Sequence, residues 1–172
     1  MTFKSPLGNE LVQTFKFINY LKKPTVYSVR VEKVGGQKAP VDSKQKAPPV
    51  QVDFYPLVQN NNFSAPAADS YDGIECGIDI KYEPSNLGES RAVLIVSSPE
   101  GGEYQCLLIG QATAPVPKGP FKIGSKPVAI EFKNPFFDPA EFTIRIDNPS
   151  FTTSTKSPAK IDVNCGNIVL TL

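Results

Sequence analysis

The side chains that most often carry out chemistry in proteins are scarce in this sequence. No histidine occurs among its 172 residues, which removes the usual general base near neutral pH and both Ser-His-Asp and Cys-His catalysis. Its three cysteines, Cys76, Cys106 and Cys165, have no CxxC spacing, so neither a zinc site nor thioredoxin-type redox chemistry is indicated. The sequence therefore predicts no metal site and no cofactor.

Two acidic residues and two glycine pairs are the other candidates for a reactive site. Glu75 and Asp79 fall on one face of a predicted strand, where a carboxylate pair could act as acid and base. Charges that alternate along a strand ordinarily form its solvent-exposed side, and this interpretation is favoured. Gly35-Gly36 and Gly101-Gly102 match neither a GxGxxG motif nor a P-loop. We expect a protein that is not an enzyme and has no small-molecule substrate.

Five lysines form the candidate partner-binding set. Two lie in a predicted turn and three in a later proline-bearing loop: Lys22, Lys23, Lys38, Lys44 and Lys46. Basic loops without aromatic residues are usually only solvated, so a dedicated acidic partner is the less favoured interpretation. The formal net charge of +1 gives no overall attraction to nucleic acid or to an anionic membrane, and neither is expected as a partner.

Three consecutive predicted strands organise the middle of the chain. In Ile74 to Tyr82, apolar and polar residues alternate with the period of two that marks a strand with one buried face. Ala92 to Val96 is continuously apolar and rich in β-branched residues, as in a strand that is buried on both faces. Tyr104 to Ile109 is the third strand, and glycine- and proline-bearing turns separate all three.

The preceding residues predict further strands. Leu11 to Asn19 and Thr25 to Lys33 alternate in the same way, and Val50 to Val58 is a shorter candidate interrupted by Pro56. Residues 59–62 are interpreted as a polar turn, and residues 63–71 as a connection. The 17 prolines and 12 glycines, with no sustained helical periodicity, suit short strands joined by turns. The predicted fold class is all-β.

The amino-terminal residues contain no apolar segment typical of a secretory leader, and no apolar run is long enough to span a bilayer. We therefore expect a cytoplasmic location, unless a leader lies elsewhere in a longer protein. In a reducing compartment the three cysteines are expected to be core thiols rather than disulfide partners.

Residues near position 132 repeat the pattern of residues near position 17. At one gap-free offset of 115 (132 − 17), four side chains are identical: Phe17 and Phe132, Asn19 and Asn134, Pro24 and Pro139, Arg30 and Arg145. The apolar alternation is kept as well, because Tyr27, Val29 and Val31 correspond to Phe142, Ile144 and Ile146. Two unrelated strand pairs would share the alternation but not the asparagine, proline and arginine identities in register, so the pattern indicates tandem homologous modules.

The repeat predicts a first module at residues 1–115, a stiff proline-bearing linker at 116–120 and a partial second module at 121–172. A copy on this spacing would end at the equivalent of Leu57 (172 − 115) and would have no counterpart of the three middle strands. Its phenylalanines would then lack partner surface. Either the alternating run Ile161 to Leu172 folds back as a substitute strand, or a second chain covers the face, or the sequence is an excerpt of a longer protein. The excerpt is favoured, and residues 152–172 are expected to be more exposed than residues 73–110.

Several short motifs resemble the hydin-like (ASH-type) immunoglobulin-like domains of ciliary and centrosomal proteins, which are relatives of the major sperm protein sandwich. The motifs are Phe17-Ile18-Asn19, Pro24, Tyr27 to Val31, Ile78 to Pro84, Gly102-Glu103-Tyr104 and Leu108 to Ala112. The resemblance covers residues 1–115 and about 120–151. It implies an immunoglobulin-like β-sandwich with a structural role in the axoneme of motile cilia and sperm flagella, and no active site. It also implies other axonemal proteins and neighbouring immunoglobulin-like modules of the same chain as partners.

Two alternatives to such a scaffold are open. The first is an adaptor of the major sperm protein type that binds short acidic peptide motifs through Lys22, Lys23 and the later lysine-bearing loop. The second is an extracellular or periplasmic sandwich, such as an adhesin or pilus chaperone, which the absent leader and odd cysteine number disfavour. In each case the predicted core includes Tyr27, Ile80, Leu94 and Leu108.

Overall fold

The computed structural model describes residues 1–34, 52–122, 128–131, 134–162 and 167–171. These residues form thirteen strands and no helix, so the predicted all-β fold class is confirmed. In chain order the strands are β1 Thr2–Pro6, β2 Leu11–Asn19, β3 Thr25–Lys33, β4 Phe54–Pro56, β5 Asn62–Ala65, β6 Ile74–Tyr82, β7 Gly88–Ser98, β8 Gly102–Thr113, β9 Val128–Glu131, β10 Ala140–Phe142, β11 Thr152–Thr153, β12 Ala159–Ile161 and β13 Asn167–Thr171.

Strands β1 to β8 form two sheets that pack face to face, and we call this unit the amino-terminal sandwich. The larger sheet has the order β1-β8-β7-β3-β5, and the smaller sheet has the order β2-β6-β4. Every pair in the two sheets is antiparallel except β1 and β8, which run parallel from Thr2 beside Ile109 to Pro6 beside Thr113. This two-layer arrangement confirms the predicted immunoglobulin-like β-sandwich.

Aromatic rings join the two sheets in the core. Phe17 of the smaller sheet meets Tyr27 of the larger sheet edge-on, with ring centroids 5.2 Å apart. Phe3 of β1 meets Phe54 of β4 at 5.5 Å in the same geometry. Edge-to-face pairs of this kind contribute beyond the area that they bury. The four residues predicted for the core are fully buried: Tyr27, Ile80, Leu94 and Leu108.

The strands with regular alternation have the predicted bounds, and two short edge strands were not predicted. β2, β3 and β6 begin and end at the predicted residues, while β7 and β8 extend beyond theirs. The interpretation of residues 59–71 as turn and connection is wrong at β5, where Asn62 to Ala65 pair with β3. Asn60 and Asn61 make the preceding turn with positive φ angles of 50° and 57°, which asparagine tolerates.

The strands after residue 120, here called the carboxy-terminal segment, pair in the same pattern as β2 to β6. The sheet β11-β13-β9 corresponds to β4-β6-β2, and the pair β10-β12 corresponds to β3-β5. Phe142 beside Ala159 takes the place of Tyr27 beside Phe63. Within the described ranges of this segment, no strand takes the place of β7 or β8.

The expectation that the second module has no counterpart of the three middle strands is wrong for one of them, because β13 takes the place of β6. Ile130 lies beside Ile168 as Phe15 lies beside Ile78, so β13 stands for β6, and the alternating run after Ile161 does supply a strand. The difference in residue number between counterparts falls from 115 at β9 and β2 (130 − 15) to 90 at β13 and β6 (168 − 78). It falls because the connections between strands are shorter after residue 142 than in the amino-terminal sandwich. The gap-free comparison could not find this match. No residue from 152 to 162 is buried, in line with the expected exposure.

A buried asparagine closes the same turn in both parts of the chain. The side-chain oxygens of Asn19 and Asn134 accept hydrogen bonds from the backbone N–H two residues on, at Leu21 (3.3 Å) and Phe136 (3.0 Å). Both asparagines are 0% exposed. Such a bond mimics a backbone turn, and it explains why asparagine occurs at both positions.

Candidate partner-binding surface

The turn between β2 and β3, which carries two of the five candidate lysines, is held by three side chains. Asn19 donates a hydrogen bond to the Pro66 carbonyl at 2.7 Å and accepts one from the Tyr27 hydroxyl at 3.0 Å. The Tyr104 hydroxyl donates to the Ile18 carbonyl at 2.6 Å. Burial raises the pKa of both tyrosines above its ordinary value, so both hydroxyls keep their protons at neutral pH. The turn is therefore a rigid platform at one end of the sandwich.

Lys22 and three apolar side chains form an exposed patch on this platform, which we call the turn surface: Ile18, Tyr20, Lys22 and Tyr71. The Lys22 ammonium lies 5.0 Å from the centre of the Tyr71 ring, within the range of a cation–π contact. Tyr71 is 95% exposed and Tyr20 is 58% exposed. Gly73 has a φ of +79°, and a Cβ atom there would meet side-chain atoms of Ile18 and Tyr20. Glycine at this position allows the patch to pack against the backbone.

Lys23 faces a different side of the turn and has an ion-pair partner. Its ammonium lies 2.7 Å from a carboxylate oxygen of Glu100, and both side chains are more than half exposed. An exposed pair of this kind contributes little to stability but partly neutralises the lysine. A shallow cleft of about 330 Å³ lies beside the pair and is lined in part by Pro24, Val26 and Ser98. The structure thus separates the environments of Lys22 and Lys23.

The other three candidate lysines, Lys38, Lys44 and Lys46, lie outside the described residues, together with Gly35-Gly36. Their part in partner binding stays a prediction.

Another cleft, of about 390 Å³, lies away from the turn surface and was not predicted. A carboxylate oxygen of Asp53 accepts hydrogen bonds from the Ser85 hydroxyl (2.6 Å) and backbone N–H (3.2 Å), and Phe137 of the carboxy-terminal segment also lines the cleft. The Arg91 guanidinium pairs with Glu89. Asp53 and Ser85 are 32 positions apart (85 − 53), so no local motif could reveal the cleft.

The acidic pair considered for catalysis is engaged in contacts on the outer face of β6. The Lys16 ammonium binds Glu75 at 2.8 Å, and the Thr14 hydroxyl donates to Asp79 at 2.6 Å. All four side chains are exposed. These contacts support the interpretation of the alternating charges as the solvated face of a strand.

Cys76 and Cys106 are both free thiols, and Cys76 is buried as expected of a core thiol. Burial raises the pKa of the Cys76 thiol, which makes it a poor nucleophile. Cys165 lies outside the described residues.

In the ranges that the structure describes, no three acidic or cysteine side chains gather into a possible metal site. No described helix has the length and apolarity needed to cross a membrane.

Two curated relatives are similar to nearly the whole chain. The Hydrocephalus-inducing protein homolog of Homo sapiens is 35% identical over 151 residues, or 87% of this chain. The Hydrocephalus-inducing protein of Mus musculus is 32% identical over 164 residues, or 93% of this chain. The chain spans only 2% and 3% of the length of these relatives.

One solved structure that is similar in fold is the ASH / PapD-like domain of human CEP192 (PapD-like domain 7). The match has a TM-score of 0.47 at 12% identity, and it covers 67% of this chain and 82% of that domain. No family model matches the chain.

Proposed function

We propose that the chain is a non-enzymatic scaffold segment of an axonemal protein in motile cilia or sperm flagella, built from tandem hydin-like (ASH-type) immunoglobulin-like modules. The observation that carries the proposal is the 35% identity to the human Hydrocephalus-inducing protein homolog over 151 residues. The motifs also resemble cilia- and flagella-associated protein 47, a long multi-domain axonemal component. We assign the chain to this group of cytoskeletal proteins, with other axonemal proteins as partners.

The proposed division of the chain is a first module at residues 1–115, a linker at 116–120 and a partial second module at 121–172. The paired registers of β9 to β13 and β2 to β6 support it, as do the two turn-closing asparagines. Edge strands offer unpaired backbone groups that a neighbouring module can use. The modules would then pack with one another and with partner proteins through edges and loops.

Localisation in ciliated cells tests this function. The chain, fused to a fluorescent protein, is expressed in multiciliated epithelial cells, and the membrane is then removed with detergent. We expect the signal to remain along the axoneme. A chain that stays diffuse and is released by the detergent contradicts the proposal. A folded immunoglobulin-like domain of unrelated origin, fused to the same fluorescent protein, is the control for non-specific retention after detergent extraction.

A second candidate function is an adaptor that binds short acidic peptides, and the turn surface favours it. Lys22 and the exposed rings of Tyr20 and Tyr71 combine a cation with apolar surface, which suits an acidic segment containing an aromatic residue. Pulldown with acidic phenylalanine-containing peptides should then be salt-sensitive and weakened by Lys22→Glu. Lys4→Glu, at an exposed position of β1, is the matched control. Equal binding of the peptide by both variants would exclude the turn surface as the binding site.

A further inference from the structure

The amino-terminal sandwich and the carboxy-terminal segment share no sheet among the described residues. Each of the four sheets in those ranges takes all its strands either from β1 to β8 or from β9 to β13. Residues 114–122, which lead from one part to the other, are exposed throughout. Modules that are joined only by an exposed connection move relative to each other by default, so a fixed orientation needs a contact beyond the connection.

Phe137 of the carboxy-terminal segment makes such a contact at the turn between β6 and β7. It lines the cleft of about 390 Å³ together with Phe54 and Leu87, and we call this cleft the junction cleft. A second cleft, of about 270 Å³, lies beside it. Phe137, Ser85 and Asn86 line both clefts, so Phe137 and the β6–β7 turn meet at the boundary between the two.

The β6–β7 turn is braced from within the amino-terminal sandwich. The Asp53 carbonyl accepts the Glu83 N–H at 2.8 Å, and the Asp53 carboxylate holds Ser85, which is 3% exposed. The Asn86 amide donates to the Ser85 hydroxyl at 3.2 Å. The turn is therefore fixed before a neighbour meets it, which lowers the entropic cost of a contact.

The turn that carries Phe137 is fixed in a similar way. Asn134 is fully buried, accepts the Phe136 N–H at 3.0 Å and donates to the Asp138 carbonyl at 3.1 Å. The Phe136 ring stacks on Phe142 of its own segment, with ring centroids 6.3 Å apart. Of the two adjacent phenylalanines, Phe136 thus packs within the segment, and Phe137 contacts the junction cleft.

The counterpart of Phe137 in the amino-terminal sandwich is a lysine. Lys22 lies 115 positions before Phe137 (137 − 22), at the same place in an asparagine-closed turn. Lys22 is exposed beside Tyr71, whereas Phe137 is half-buried. The fold of the turn accepts either side chain, so the contact with the junction cleft explains the phenylalanine at 137.

The two turns that meet belong to opposite ends of their modules. Because β2 and β6 are antiparallel, with Asn19 beside Ile74 and Leu11 beside Tyr82, the turn after β2 and the turn after β6 lie at opposite ends of the sandwich. The turn of residues 134–140 corresponds to the turn after β2. It meets the turn after β6, so the contact joins the modules end to end.

We propose that the junction cleft is the docking site for the following module, and that Phe137 is the anchor that holds the two modules in one orientation. The occupant is the asparagine-closed turn of residues 134–140. This inference rests on the division into modules made under the proposed function. It adds a rigid end-to-end joint, through which tandem modules would form a line of fixed shape.

The test uses the full chain, labelled with ¹⁵N, and measures the rotational correlation time of each part from amide relaxation. We expect one common time for β1 to β8 and β9 to β13. Phe137→Ala should shorten the time of the carboxy-terminal segment at least about 1.5-fold, because the smaller body then tumbles by itself. Phe151→Ala is the matched control, since Phe151 is a half-buried residue of the same segment that lines neither cleft. It should leave the common time unchanged.

A substitution on the other side of the cleft separates loss of the joint from loss of the segment's fold. Leu87 is 63% exposed in the amino-terminal sandwich, so Leu87→Glu spares both cores while it places a carboxylate in the junction cleft. We expect the same shortening as in Phe137→Ala and little further change in the double variant. Val12→Glu, at an exposed apolar position of β2, is the control.

Three outcomes overturn the inference. The two parts of the unsubstituted chain can have different correlation times, or the common time can persist in both Phe137→Ala and Leu87→Glu. An equal effect of Phe151→Ala would show that Phe137 acts through the fold of its segment rather than as an anchor. Failure of the chain to localise to the axoneme changes none of these relaxation measurements, so the proposed function and this inference fail independently.

Discussion

The Tyr27 hydroxyl donates a hydrogen bond of 3.0 Å to the side-chain oxygen of Asn19 in the core of the amino-terminal sandwich, where both residues are 0% exposed. The carboxy-terminal segment has phenylalanine in place of this tyrosine. There the amide of Asn134 donates to the carbonyls of Asp138 and Ile161, both at 3.1 Å. The asparagine is thus common to both turns, while the tyrosine bond belongs to the first turn.

Tyr27→Phe is expected to lower the free energy of unfolding by about 1–3 kcal/mol, because it removes a buried hydrogen bond and leaves the Asn19 oxygen short of a donor. The ring and its contact with Phe17 stay in place. Urea denaturation measures the effect. Tyr55→Phe, at a partly exposed position on β4, should change the unfolding midpoint little. Equal effects of the two substitutions would contradict the role of this hydrogen bond.

Asn19→Ala should destabilise the sandwich more than Tyr27→Phe does. It removes the bonds to Leu21, Tyr27 and Pro66 together and leaves buried polar groups unpaired, at a cost of about 2–4 kcal/mol. A double-mutant cycle with Tyr27→Phe should show a coupling of at least about 0.5 kcal/mol. Strict additivity would indicate that the two side chains do not interact. Asn9→Ala, at an exposed position, is the control.

Tyr82→Phe is expected to leave stability unchanged or to raise it by up to about 1 kcal/mol, because an unpaired buried hydroxyl is costly. The Tyr82 hydroxyl is buried near the Ser90 hydroxyl, but among the described residues it makes no hydrogen bond of good geometry. The ring stays packed against Phe3 and Phe54. Thermal unfolding of the two proteins compares them directly. A drop of several degrees in the variant would show that the hydroxyl has a partner.

Alkaline pH should destabilise the sandwich. Burial is the largest cause that raises the pKa of Tyr27, Tyr82, Tyr104 and Cys76, from ordinary values of 10.0 for tyrosine and 9.0 for cysteine. The unfolded chain then loses these protons at lower pH than the folded chain, so stability is intact below about pH 9 and falls as the pH rises further. Urea midpoints between pH 8 and about pH 11 measure the fall. Tyr82→Phe should make the fall of the urea midpoint with pH shallower. An unchanged slope would contradict the assignment of part of this fall to the Tyr82 hydroxyl.

Lys23→Ala should alter the free energy of unfolding by less than about 0.5 kcal/mol, because the pair with Glu100 is exposed to solvent. Calorimetry at low and at high salt measures the change, and a larger loss would show that the pair is structural. The exposed position of Lys22 predicts an equally small effect for Lys22→Ala. Both variants are then suited to binding experiments, since a lost interaction could not be ascribed to unfolding.

Alternation along the chain was enough to place the strands whose buried and exposed faces differ. β2, β3 and β6 were predicted to the residue, because each has one face on the core and the other in solvent. β1 and β5 are edge strands of five and four residues, and their pairing with β8 and β3 defines them more than their own residues do. Short edge strands carry too few alternations for a sequence pattern to reveal.

The candidate site was predictable only in part. Lys22 and Lys23 are adjacent in sequence, and their turn was recognised from Asn19 and Pro24. The partners Tyr71 and Glu100 are 49 (71 − 22) and 77 (100 − 23) positions away, and only the packing of the two sheets brings them near. The counterpart of β6 was missed for a related reason, since a gap-free comparison cannot follow shortened connections.

The parallel pairing of β1 with β8 determines how the sandwich bears mechanical load. Met1 and Thr113 lie at opposite ends of this pair, because β1 enters beside Ile109 and β8 leaves beside Pro6. Tension that pulls the two ends apart therefore runs along both strands and loads their five paired residues at once, in shear rather than by unzipping. A unit that is joined to its neighbours through the outer ends of these two strands would therefore stretch little until all five residue pairs separated together.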